Sequence, residues 1–242
     1  MDIIKIDALA IGYHPQQVLL ANINQKITGG ELICLMGLNG SGKSTLLRTL
    51  ASLIPPLAGE IALCNQPLGQ YSVAERSKLI SIVTTERPTL DYLSVEEVVA
   101  MGRTPYTNFW GSLGPEDLLS IKQVMSLLSI ENLKNRPFSC LSDGMQQLVL
   151  IARALVQQGK VVILDEPTTF LDIPNRRLLL KVLQQVAQEQ SRAVLFSSHD
   201  WELVRKLDPI IWLVDPQAGL LSGKIGDQQI MLAVEKLLFN DH

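Results

Sequence analysis

One octapeptide constrains this chain more than any other stretch: Gly37-Leu38-Asn39-Gly40-Ser41-Gly42-Lys43-Ser44, which has the spacing GxxxxGK[ST]. A strand-forming apolar run, Glu31 to Met36, precedes it. A helical segment from Lys43 to about Ser52 follows, ended by Pro55-Pro56. Strand, glycine-rich turn and helix in that order turn successive backbone N–H groups and the positive end of a helix toward one point, where an anion is stabilised. The chain is therefore expected to hold nucleotide phosphates with Gly37, Asn39, Gly40, Ser41, Gly42, Lys43, Ser44 and Thr45. Lys43 would reach the β- and γ-phosphates, and the Ser44 hydroxyl would ligate Mg²⁺.

A second element supplies the acid chemistry that such a loop lacks. Val161-Val162-Ile163-Leu164-Asp165-Glu166-Pro167 is an apolar run ending in two carboxylates, which places both at the C-terminal tip of a buried strand. Ligands bind at that edge of an α/β sheet. Asp165 suits Mg²⁺, directly or through water, and Glu166 suits the base that polarises an attacking water.

The elements around these motifs alternate. Ile3 to Leu9 and Val18 to Ile27 read as strands. Between about Pro88 and Ser139 the apolar spacing turns helical (Val95, Val98, Val99, then Leu118, Ile121, Val124, Leu127, Leu128), as in a helical insertion. A helix from about Met145 to Gln157, a strand Val161 to Asp165, a helix around Asn175 to Glu189 and a strand Ala193 to Ser197 follow. Such alternation predicts an α/β fold with a parallel sheet flanked by helices.

Composition narrows the partners. At 242 residues and 47% hydrophobic, the chain is long enough to bury a full core. A net charge of -3 argues against nucleic acid as the main partner, because such binders carry a basic stripe. Cys34, Cys64 and Cys140 form no CxxC and are expected to be buried free thiols. No apolar run reaches the roughly 18 to 20 residues needed to cross a bilayer, and the first residues lack a signal-peptide pattern. A cytoplasmic location is expected, with any membrane role peripheral.

The third element carries a resemblance. Leu141-Ser142-Asp143-Gly144-Met145-Gln146-Gln147 runs into an apolar helix, and 165 − 142 leaves 23 residues from Ser142 to Asp165. This segment resembles the LSGGQ signature of the ABC ATPase family. The resemblance covers nearly the whole chain and implies a P-loop NTPase of ABC type: one domain over 1–242, with a mixed-sheet core, an antiparallel β subdomain and a helical subdomain inserted at 88–144. It implies ATP and Mg²⁺ as cofactors, ATP hydrolysis, and a head-to-tail dimer in which Ser142 and Gly144 of one copy cap the γ-phosphate held by the other. A hydroxyl, a glycine that admits close backbone approach and a helix N-terminus suit that role.

Further positions match by the same resemblance. His199, in Ser197-Ser198-His199-Asp200, is similar to the switch histidine at the γ-phosphate. Asp172, in Thr169-Phe170-Leu171-Asp172, is similar to the key member of the loop through which the two copies communicate. Tyr13, 43 − 13 = 30 residues before the loop lysine, is similar to the aromatic that stacks on adenine. Two departures stand out. Asp143 replaces the first signature glycine, where an outward carboxylate at a helix N-terminus gains about 0.3 to 1 kcal/mol. The metal-binding glutamine expected after the strand Ile80 to Val83 is replaced by Thr85 or, with a shift of one, Glu86.

Within the insertion, Gly102-Arg103-Thr104-Pro105-Tyr106 resembles the ATPase subunits of bacterial importers for iron-siderophore complexes, haem or cobalamin. That implies docking on transmembrane permease subunits at the inner face of the membrane, served indirectly by a periplasmic or lipoprotein binding protein. The aromatics that follow, through Phe109-Trp110, are candidates for a contact surface. The alternative is a soluble ABC ATPase of an assembly machine such as Fe-S cluster biogenesis.

Overall fold

A computed structural model describes residues 2–86, 88–108, 111–215 and 217–239. The candidate contact aromatics Phe109 and Trp110 lie outside the described residues. The first half carries β1 (Asp2–His14), β2 (Gln17–Thr28), β3 (Leu32–Gly37), α1 (Lys43–Leu50), β4 (Ala58–Leu63), β5 (Gln66–Pro67), α2 (Val73–Leu79) and β6 (Ile80–Val83). Then come α3 (Val95–Ala100), α4 (Pro115–Leu127), α5 (Asp143–Val156), β7 (Val161–Leu164), α6 (Ile173–Gln190) and β8 (Ala193–Ser197). The chain continues with α7 (Trp201–Val204), β9 (Ile210–Asp215), β10 (Gly219–Lys224) and α8 (Gln228–Phe239).

Two sheets organise these elements. Among the described residues, one has the order β2-β1-β4-β5 and is antiparallel; the other has the order β10-β9-β3-β8-β7-β6. In the second sheet β9, β3, β8, β7 and β6 run parallel, and only β10 is antiparallel, at the edge. Every residue of β3, β7 and β8 is buried, as expected of parallel strands covered on both faces. Such strands must read as continuous apolar runs, and at about 2 kcal/mol per buried large side chain that reading is energetically enforced. The sheet is thus mixed rather than purely parallel: a hairpin return, unlike a crossover, needs no helix, and the β9–β10 pair closes the edge this way.

The cores lie on either side of the large sheet. On one face Ile33, Leu35, Ile163 and Leu195 pack with α1 (Leu46, Leu47, Leu50) and with Ile4, Ile6 and Leu9 of the antiparallel sheet. On the other, Cys34, Met36, Val162 and Phe196 pack with α5, α6 and the helices between β6 and β7. Alternate residues of a single strand therefore belong to different cores, the two-residue period of a pleated strand. The thiol expectation holds for Cys34 alone: Cys64 is half-buried and Cys140 exposed, because both sit in connections at an element's end. No helix among the described residues is long and apolar enough to cross a membrane.

The segment between β6 and β7 is tied to α5 by its GRTPY stretch. The Arg103 guanidinium donates to Asp117 Oδ1 at 2.7 Å, to the Val156 carbonyl at 2.9 Å and to Gln158 Oε1 at 3.1 Å, beneath the Tyr106 ring at 4.1 Å. Gly102 precedes it because a Cβ there would run into the Arg153 carbonyl and lie 2.6 Å from Val156 Cγ1. Gly102→Ala must push this segment off α5, at a cost of about 1 to 3 kcal/mol. The expected fall in thermal midpoint, about 2 to 4 °C per kcal/mol for a chain of this size, is read by calorimetry; an unchanged midpoint contradicts the packing described.

Candidate functional site

The glycine-rich loop sits where β3 ends between β9 and β8. Gly42 is the N-cap of α1 at φ 104, a left-handed conformation that costs glycine little and an L side chain much. No side chain caps this helix, so its first-turn N–H groups stay available toward the loop. The Lys43 ammonium folds back onto its own loop and donates to the Gly37 carbonyl at 2.9 Å and the Leu38 carbonyl at 2.8 Å. Burial pulls Lys43 below the ordinary lysine range, opposed by the carboxylates of Glu166 and Asp165. The Ser41 hydroxyl is buried with no hydrogen-bond partner among the described residues.

Parallel register brings the two carboxylates to this loop. Leu164 lies beside Phe196 and Leu35 beside Ser197, so the tips of β7, β8 and β3 end together. The buried Ser197 hydroxyl donates to Asp165 Oδ1 at 2.8 Å and accepts from the Glu166 backbone N–H at 2.7 Å. The Asp165 N–H donates to the Val83 carbonyl at 2.8 Å, which fixes the end of β6 beside it. Asp165 Oδ2 is buried and has no partner among the described residues. Glu166 adopts φ 49, left-handed for a non-glycine residue, a conformation that surrounding contacts must impose. Its Oε1 lies 3.0 Å from His199 Nε2, and its Oε2 accepts from the Thr169 hydroxyl at 3.3 Å. Lys43, Asp165, Glu166 and His199 therefore form one electrostatic cluster.

The remaining sequence candidates fall at its margins. Tyr13, the last residue but one of β1, is 64% exposed, which makes it no packing residue, and its hydroxyl accepts from Thr45 Oγ1 at 3.5 Å. Ser142 is the N-cap of α5 and accepts from the Met145 N–H at 3.4 Å, while Asp143, the first residue of the helix, is exposed. A Cβ on Gly144 would lie 2.7 Å from the Phe170 carbonyl, so the signature helix abuts the 169–172 loop of its own chain. Asp172 caps α6 through the Asn175 N–H at 2.9 Å. Thr85 is exposed, and the Glu86 carboxylate is engaged by Arg48 at 2.9 Å.

Two residues that brace the surroundings of this cluster escape motif reading. Ser197 and Arg176 hold neighbours in place, yet serine and arginine at these positions carry no spacing signal of their own. The legible clue to Ser197 was its place at the end of the strand next to β7. Arg176 donates from Nε to the Leu171 carbonyl at 2.7 Å, a contact that requires the loop to be folded.

Comparison with known proteins identifies the family of the chain. The ABC transporter family matches residues 20–169. An uncharacterized ABC transporter ATP-binding protein of Haemophilus influenzae is 35% identical over 97% of this chain and 88% of its own length. An iron(3+)-hydroxamate import ATP-binding protein of Bacillus subtilis is 33% identical over 83% of this chain and 74% of its own. An ATP-binding cassette solved as a dimer in a post-hydrolysis state with ADP and phosphate superposes with a TM-score of 0.78 at 25% identity, covering 91% of this chain and 98% of that one. The chain belongs to the ABC transporter family, as an ATP-binding subunit of the kind that hydrolyses ATP in transport.

Proposed function

We propose that the chain drives import of a metal chelate, an iron-siderophore complex, haem or cobalamin, by ATP-dependent closure of a head-to-tail dimer on transmembrane permease subunits. It would work on the inner face of the membrane, with a periplasmic or lipoprotein binding protein delivering cargo to the permease. The likeness to the hydroxamate import subunit and the GRTPY stretch support the cargo class. The observation that carries the catalytic part is the convergence of Lys43, Asp165, Glu166 and His199.

In this reading Lys43 leaves the Gly37 and Leu38 carbonyls for the β- and γ-phosphate oxygens, while Tyr13 stacks on adenine and the loop from Gly37 to Thr45 wraps the phosphates. Glu166 accepts a proton from water as its oxygen attacks the γ-phosphorus; the bond to the bridging oxygen breaks and leaves ADP and phosphate. His199 orients Glu166 and the γ-phosphate. Mg²⁺, when bound, would offset charge on the phosphates; Ser44 and Asp165 fit as its donors, since Asp165 Oδ2 is buried and lacks a partner among the described residues. Of the two candidates for a further ligand, the Glu86 carboxylate is already paired with Arg48, which favours the Thr85 hydroxyl or a water.

Ser142, Gly144 and Asp172 belong to the second half of the site. The exposure of Ser142 and Asp143 at the start of α5 supports their facing another copy. Residues 88–144 are read as an insertion within the single unit 1–242. A groove of about 350 Å³ between α2 and the start of the GRTPY stretch, rimmed by exposed Leu53, Val73 and Met101, is the surface offered to a permease.

Glu166→Gln should keep ATP binding and lower turnover at least about a hundredfold, accumulating an ATP-bound dimer on size exclusion; undiminished turnover removes Glu166 from the role. Ser142→Asn keeps a helix cap, so it should raise the ATP concentration needed for dimer closure and leave nucleotide affinity of the monomer within about twofold. A monomer that hydrolyses at the full rate ends the composite-site reading. Val73→Asp should abolish co-purification with a polytopic membrane protein without changing ATP affinity, and retained co-purification moves the docking surface elsewhere.

A further inference from the structure

We infer that Arg176 is a positioning residue for hydrolysis: it clamps the 169–172 loop to the residue beside His199 and so makes the Glu166–His199 geometry depend on that loop. The proposal rests on the reading of Glu166 and His199 as the hydrolytic pair and adds to it a residue that no motif marks.

The side chains around one cavity, about 590 Å³ and open to solvent, form a closed circuit. Glu166 lies on it with both carboxylate oxygens engaged, one by His199 at 3.0 Å and one by the Thr169 hydroxyl at 3.3 Å. Each contact leads to a different backbone segment. Thr169 leads into the loop whose Leu171 carbonyl accepts from Arg176 Nε at 2.7 Å. His199 leads to Asp200, whose Oδ2 lies 3.6 Å from Arg176 Nη1. The guanidinium has a rigid planar fork, and here its two edges hold two segments at once, a task for which a lysine ammonium has no equivalent geometry.

Asp200 is itself held, so the clamp has a firm end. Its Oδ1 caps α7 through the Leu203 N–H at 3.1 Å, and its own N–H donates to the Ser198 hydroxyl at 3.1 Å. Ser198 in turn donates its N–H to the Leu35 carbonyl at 3.1 Å, on the strand that delivers the phosphate loop. Arg176 is half-exposed, 37% for its side chain, so the ion pair adds little to global stability. Its contribution is geometric: displacement of Leu171 pulls on Asp200, and through it on the imidazole that holds Glu166.

The test uses the purified full chain in four forms: the natural sequence, Arg176→Ala, Asp200→Asn and the double variant, with Glu166→Gln in parallel. Asn preserves the α7 cap, so Asp200→Asn removes the charge and leaves the helix end intact. Arg176→Ala and Asp200→Asn should each lower kcat about tenfold with KM for ATP within about twofold, and the double variant should lose no more than either single one. An unchanged kcat with a lowered thermal midpoint assigns Arg176 to stability alone and overturns the proposal. So do losses that multiply in the double variant, because independent residues multiply. Full turnover in Glu166→Gln overturns the hydrolytic reading and the proposal with it. A loss in Glu166→Gln without one in Arg176→Ala sinks only the proposal.

Discussion

A single hydroxyl holds the catalytic edge of this protein together. Ser197, wholly buried at the end of β8, donates to one oxygen of Asp165 and accepts from the Glu166 N–H. One group thereby fixes the orientation of the first carboxylate and the backbone of the second. The arrangement requires β7 and β8 to be parallel and in register, and that register follows from the burial of both strands on both faces. A slip by one residue would turn every apolar side chain of β7 into the opposite core and carry Asp165 away from Ser197. Packing free energy, spread over two cores, is thus what brings three polar atoms, Ser197 Oγ, Asp165 Oδ1 and the Glu166 N–H, to hydrogen-bond distance.

Periodicity and local chemistry explain which parts of this were legible in the sequence. The run Val161 to Leu164 had to be a buried strand, and two carboxylates at its tip had to face the loop at Gly37, because sheet and loop share one edge. The helix starting at Lys43 and the strand Ala193 to Ser197 emerge with the expected residues. The strand β9 and the edge strand β10 are not legible in the sequence: a Pro- and Gly-punctuated segment reads as connection until pairing partners are known. The circuit through Arg176 and Asp200 was equally invisible, since it joins groups 24 residues apart (200 − 176) with most of α6 and the whole of β8 between them.

The departures from the family pattern acquire physical meaning in the structure. Asp143 stands exposed in the first turn of α5, where a carboxylate complements the helix dipole. Its neighbour Gly144 has no such freedom, because the Phe170 carbonyl fills the space a side chain would need. The signature helix and the 169–172 loop are therefore one packed unit within a chain, and a force on either is felt by both. At the other departure, the pairing of Glu86 with Arg48 draws the carboxylate toward the last turn of α1 rather than toward Asp165.

Much of the polar demand of the site is met by contacts within it. Lys43 spends two of its three donors on the carbonyls of its own loop, and Glu166 has both oxygens occupied by Thr169 and His199. Yet the balance is uneven. Burial disfavours the Lys43 charge, neutral carbonyls recover only part of its lost hydration, and Glu166 and Asp165 act on it through the field. In the proposed function a triphosphate would bring negative charge to contact distance of this cation and favour transfer of the lysine from carbonyl to phosphate. The same arrival places negative charge near Asp165 and Glu166, which raises the cost of leaving those carboxylates without a cation. In the proposed function nucleotide and Mg²⁺ would be coupled ligands: each would remove the electrostatic penalty that the other meets alone, and the buried oxygen of Asp165, without a partner among the described residues, would anchor that coupling.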